Sequence, residues 1–231
     1  GFMAQTTVKS RHDGGLPGLR EYSVLEDEGE RTALKKSSRK IVDWMRERRV
    51  KNLVAGGFSA KPAAKLLLYS WNRMYPGEET PHLFSLGDIP DSPDALMTVK
   101  ENMPGLIQGL GEPTLLLEEH VVTGSRIGRA RRLLRDAAKS EGVKSRIHTA
   151  ALFRVRVPDE KPVSKSKLSV WGMDTYQTLK RPSWATKRGA VMDLWGDGEL
   201  SRNQFRDNMD YFRRLDADLK KLAGELPKAG Y

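Results

Sequence analysis

Apolar residues along the chain recur in two rhythms, a helical spacing of three to four residues and short unbroken runs. Between residues 30 and 49, Leu34, Ile41 and Met45 share one helical face with Trp44 beside them, and Lys and Arg occupy the other positions. That pattern predicts a helix leading into a first strand, Asn52-Leu53-Val54-Ala55. A turn, Gly56-Gly57-Phe58-Ser59-Ala60-Lys61-Pro62, then opens a helical run over 63–71, with Pro62 in a first turn where its missing N–H is not needed. A second strand is expected over 83–86. Residues 87–113 are rich in Asp, Pro and Gly, with a helical pattern over 94–101.

Thr114-Leu115-Leu116-Leu117 is an unbroken apolar run, bounded by a proline before and two carboxylates after. Such a run suits a central parallel strand buried on both faces. A helix over 126–140 follows, with Ile127, Ala130, Leu134 and Ala137 inward, Arg129, Arg132 and Arg135 outward, and Gly142 closing it. A strand over 149–157 completes a strand-helix-strand unit, which should cross over right-handed. Residues 158–200 are irregular and carry Trp171, Trp184 and Trp195. From 201 to 226, Phe205, Met209, Phe212, Leu215, Leu219 and Leu222 return to helical spacing, predicting a helix docked on its own domain. Residues 1–25 read as a flexible leader and 26–231 as one domain, its core at about 40–157.

Composition narrows the chemistry. Cysteine is absent from the 231 residues, which excludes a disulfide framework, a thiolate zinc site and a thiol nucleophile. No apolar stretch approaches the roughly 20 residues that cross a bilayer, so no membrane partner is expected and the cytoplasm is the default location. Forty Lys and Arg against 30 Asp and Glu give a net charge of +10, which favours polyanionic partners. The basic residues are interleaved with acids, so nucleic acid is not the favoured one.

The sharpest local signal is Leu115-Leu116-Leu117-Glu118-Glu119-His120-Val121-Val122-Thr123-Gly124-Ser125. A turn from strand to helix presents backbone N–H groups and a positive helix end to an anion, for which a phosphate is the natural guest. Two carboxylates just before that turn could accept hydrogen bonds from vicinal ribose hydroxyls, or hold Mg²⁺ through water. His120 has no companion at zinc-ligand spacing and reads as a local structural or orienting group.

These residues resemble the signature of the type I phosphoribosyltransferases, in which an apolar strand, two acids and an apolar pair precede Thr-Thr-Gly-x-Thr. The resemblance implies an α/β fold, with a phosphoribosyltransferase-like central, mainly parallel sheet flanked by helices, a variable hood and a C-terminal helix. It implies that Glu118 and Glu119 hold the ribose hydroxyls and the Mg²⁺ shell, and that Val122, Thr123, Gly124, Ser125 and Arg126 surround the 5-phosphate. Gly57, Phe58, Ser59, Ala60 and Lys61 would then meet the pyrophosphate of phosphoribosyl pyrophosphate, and 87–113 would form a catalytic loop with Lys100 as its closing cation. Trp184 and Trp195 would be placed to stack on a base, against which packing is the more usual work of a tryptophan, and the family expectation is a homodimer. The chain departs from the signature at His120, Val122 and Arg126, and in having Glu for Asp at the second acid.

The implied activity is transfer of ribose 5-phosphate from phosphoribosyl pyrophosphate to or from a nitrogen base. The departures and the basic charge suit an alternative, a non-catalytic module of the same fold that binds a ribose phosphate, nucleic acid or a protein partner.

Overall fold

The computed structural model describes residues 21–57, 59–87, 94–176, 184 and 202–229. Five strands form one sheet: β1 (Asn52–Ala55), β2 (His82–Ser85), β3 (Thr114–Val121), β4 (Ile147–Arg156) and β5 (Val170–Tyr176). Their order is β2-β1-β3-β4-β5, and every neighbouring pair is parallel. Parallel neighbours require crossovers, and the described helices supply four of the layers' main elements: α1 (Glu28–Glu47) before β1, α2 (Ala60–Met74) after it, α5 (Ser125–Ser140) between β3 and β4, and α6 (Arg202–Gly224) after β5. Two shorter helices lie in the Asp-, Pro- and Gly-rich segment: α3 (Ala95–Asn102), where the helical pattern over 94–101 places one, and α4 (Pro104–Gly109), which that pattern does not reach.

The sheet is covered on both faces. Leu53, Ala55, Leu115, Leu117, Ala150 and Leu152 join α1, α2 and α6 in one core, while Val54, Leu116 and Ala151 join α3, α4 and α5 in the other. This two-residue alternation lets an unbroken apolar strand serve both layers at once. The chain is thus an α/β protein with a parallel sheet flanked by helices, as the sequence predicts, and the C-terminal helix docks on α2.

Strand order reverses between β1 and β3. In an open α/β sheet that switch point leaves a crevice at the carboxyl ends of the strands, where ligands bind. The chain leaves β1 there through Gly56-Gly57 and leaves β3 there through Val122–Ser125.

Candidate functional site

Strand β3 is longer than its apolar run suggests, so Glu118 and Glu119 lie inside it. Gly56 N donates to Leu117 O at 2.8 Å, continuing the β1–β3 pairing to the crevice. Successive strand residues point to opposite faces, so the two acids part company. Glu118 faces the β1 turn: a β-carbon added to Gly56 would lie 2.6 Å from its Oε1, which only a glycine permits. Beside it, a β-carbon on Gly57 would meet Arg126 Nη2 at 3.1 Å and Glu118 Oε2 at 3.7 Å. The Arg126 guanidinium therefore lies over the Gly56-Gly57 turn, next to the acid.

Glu118 is 6% exposed. Burial is the largest influence on its carboxyl and pushes the pKa up, against the opposing pull of Arg126 and His120. Glu119 is wholly buried, with Oε1 at 3.3 Å from His120 Nδ1. A sealed carboxylate does not reach a ligand in the crevice, so the expected pair acting together on one ribose or one metal is not assembled in this arrangement.

The phosphate turn is assembled. Gly124 takes φ +83°, a left-handed conformation that costs an L side chain about 1–2 kcal/mol, and it stands as the N-cap of α5. It offers no side chain to the first N–H groups of the helix, so those beyond Ser125 N are left to the crevice. Thr123 Oγ1 lies 3.0 Å from Ser125 Oγ and accepts from Ser125 N at 3.3 Å. Val122, Thr123, Ser125 and Arg126 are exposed around it. The other helix opening at this end of the sheet is α2, whose N-cap Ser59 also makes no side-chain cap bond, so two positive helix ends flank the switch point. Ala60 N is already engaged with Gly57 O at 3.1 Å. Lys61 is half-buried in the first turn of α2, and Phe58 falls outside the described residues.

Two other expectations fare differently. Lys100, on α3, pairs with Glu141 at 3.3 Å. Glu141 is the C-cap of α5, roughly 24 Å along that helix from the phosphate turn, so Lys100 is not brought to the site. Trp184 is 0% exposed and donates its indole N–H to Ser59 O at 3.0 Å, so it packs behind the β1–α2 turn. Trp195 lies outside the described residues.

The fold also delivers a residue the sequence reading missed. A β-carbon on Gly124 would lie 3.0 Å from Val163 Cγ2 and 3.4 Å from Lys167 Cδ, both in the loop between β4 and β5. Arg154 anchors that loop, donating Nη1 to Val163 O at 3.4 Å while its Nε and Nη2 grip Asp174 at 2.7 and 2.9 Å. Thr149 Oγ1 holds Lys167 O at 2.7 Å. Lys167 thus brings a flexible cation beside the phosphate turn. Its signal in the sequence was the run Val170-Trp171-Gly172-Met173-Asp174-Thr175-Tyr176, rich in β-formers, which is β5.

No family model matches this chain, and no curated protein matches it. A solved structure of a phosphoheptose isomerase from Francisella tularensis aligns with 97% of this chain and 95% of that one, at 13% identity and a TM-score of 0.27. The fold assignment rests on the strand order and pairing described above.

Proposed function

We propose that the β1/β3 crevice binds a phosphorylated ribose and that the chain is a phosphoribosyltransferase-like enzyme using phosphoribosyl pyrophosphate. The observation that carries this reading is the meeting of Gly56-Gly57, Glu118, Arg126 and the left-handed Gly124 turn at the switch point. In it, the Thr123–Ser125 turn and the N-terminus of α5 take the 5-phosphate, Lys167 adds charge beside them, and Glu118 accepts from the ribose hydroxyls. Arg126 and the N-terminus of α2 face the pyrophosphate. Transfer of this kind passes through a cation-like ribose, so the residues' work is to hold the sugar and stabilise the departing anion.

Mg²⁺ fits this site in one way. Among the described residues no three His, Asp or Glu form a metal cluster, and Glu118 is the carboxylate set against the Gly56-Gly57 turn. The ion would take its other ligands from water and from the phosphates of the substrate, and would screen their charge as the pyrophosphate leaves.

A second reading, binding without turnover, is favoured by the burial of Glu119 and the remote pairing of Lys100. Calorimetric titration with phosphoribosyl pyrophosphate, with and without Mg²⁺, tests both. Binding that is lost in Glu118→Ala supports the site, and pyrophosphate release on adding bases separates the enzyme from the binder. A folded wild type that binds neither phosphoribosyl pyrophosphate nor ribose 5-phosphate overturns the reading.

A further inference from the structure

Helix α5 carries Arg126, Arg129, Arg131, Arg132, Arg135 and Lys139 against one acid, Asp136. Its apolar residues Ile127, Ala130, Leu134, Ala137 and Ala138 are buried, and Arg126, Arg129, Arg132 and Arg135 are exposed. The two longest helices are built differently, with four acids in each of α1 and α6 interleaved among the bases. A merely solvated face is served by mixed charge, because like charges three and four apart on a helix repel.

The crowding extends beyond the helix. Burial and then Arg135 push the Arg131 guanidinium down from its ordinary range. Around the amino end of β4, burial followed by Arg48, Arg131 and Arg146 does the same to His148. His148 meets Trp44 edge to face at 5.2 Å between ring centres, and Arg48 lies 4.2 Å above the same indole. The acids nearest in the chain are Asp136, Glu47, which pairs with Arg48 at 3.5 Å, and Glu141, which pairs with Lys100. Basic residues thus run from the phosphate turn down roughly 24 Å of α5. A track of Arg and Lys along one element is how proteins follow the phosphates of single-stranded nucleic acid.

We propose, resting on the reading of the crevice as a phosphorylated-ribose site, that it also receives the 3′ end of a single-stranded RNA, whose upstream phosphates follow the arginine face of α5. The chemistry selects that end. Only the 3′-terminal nucleotide of an RNA combines a free 2′,3′-diol, which Glu118 can accept from, with a phosphodiester on its 5′ oxygen, which fits the Thr123–Ser125 turn. A 3′-phosphate removes the diol and sets negative charge against Glu118. A DNA end lacks the 2′-hydroxyl.

The test is fluorescence anisotropy with an oligouridine of about 12 nucleotides, within the usual span of single-strand sites. It is labelled at its 5′ end and finished at the 3′ end with a diol, a phosphate or a 2′-deoxy residue. The diol end should bind at least about tenfold more tightly than the phosphate end, since a polar group built for a hydroxyl discriminates strongly against its loss. Arg132→Ser combined with Arg135→Ser should lower the slope of log affinity against log salt by about 1.4 and leave ribose 5-phosphate binding unchanged. Equal affinity for diol and phosphate ends, or an unchanged salt slope, overturns the proposal. If ribose 5-phosphate itself does not bind the wild type, the crevice reading falls and this one with it. If it binds while the RNA ends are not distinguished, this inference alone falls.

Discussion

Glu118 is held in a state the fold resists. Its folded pKa is raised, chiefly by burial, so the native chain binds a proton more readily there than the unfolded chain does. The stability linked to that proton is present below the ordinary glutamate range and is lost as pH rises through the folded value. Glu118→Gln should therefore raise the melting temperature at pH 8, by about 2–4 °C for each kcal/mol recovered in a chain of this size, and the gain should shrink as the pH is lowered toward 5. A gain that does not vary with pH would show that desolvation of this acid is not its source. The same substitution should abolish ribose 5-phosphate binding, since a stable site that no longer carries its charge is the usual exchange of function for stability. Gly124→Ala acts on the other half of the crevice. It forces a β-carbon into φ +83° and against Val163, and should weaken phosphate binding at least tenfold while costing about 1–2 kcal/mol. Both residues were legible in the sequence, because a strand ending in acids followed by Thr-Gly-Ser is a local pattern. The separation of Glu118 from Glu119 was not, because it depends on β3 running four residues past its leucines, to Val121.

Among the elements, those whose apolar pattern is strongest are found within a few residues of where periodicity places them. The strand at Asn52–Ala55 is as expected, and the helix over 126–140 gains only Ser125. β5 was missed because its Gly, Asp and alternating polar residues read as irregular in a stretch already marked by Pro and Lys. α4 was missed because six residues give too short a period to see. The contact of Lys167 with Gly124 joins residues 43 positions apart, and no local pattern announces it. Anchoring of the first described segment is likewise long-range. Asp218 on α6 accepts N–H bonds from Ser23 at 3.2 Å, Val24 at 2.6 Å and Leu25 at 2.9 Å. Asp218→Ala leaves the buried Leu25 N–H without that acceptor and removes a charge-assisted cap, at a cost of about 2–3 kcal/mol. Urea unfolding checks this, and a change under about 0.5 kcal/mol would mean that water replaces the carboxylate at no loss.

At the level of the whole molecule, the question is whether α6 belongs to the core or is an accessory to it. Leu215, Leu219, Leu222, Ala223 and Leu226 are all buried in the same core as Leu34 of α1, Leu67 of α2 and the sheet residues Leu53 and Leu115. Further bonds tie this end of the chain to α2: Arg73 Nε donates to Leu226 O at 2.8 Å, and Ala229 N donates to Met74 O at 3.0 Å. Tyr69 adds a hydrogen bond to Asp216. Periodicity alone predicted a helix docked on its own domain, and the unbroken apolar contact from sheet to α2 to α6 is the physical reason it docks there. Leu219 is 0% exposed at the centre of this contact, so Leu219→Ala should cost about 3 kcal/mol through lost burial and a residual cavity. Because α2 follows the Gly56-Gly57 turn and packs on α6, loosening α6 should also soften the crevice. Unfolding of the variant should remain one transition, with ribose 5-phosphate affinity and stability falling together. An early separate transition, with the sheet still folded and ligand still bound, would instead make α6 an appendage to a core that stands without it.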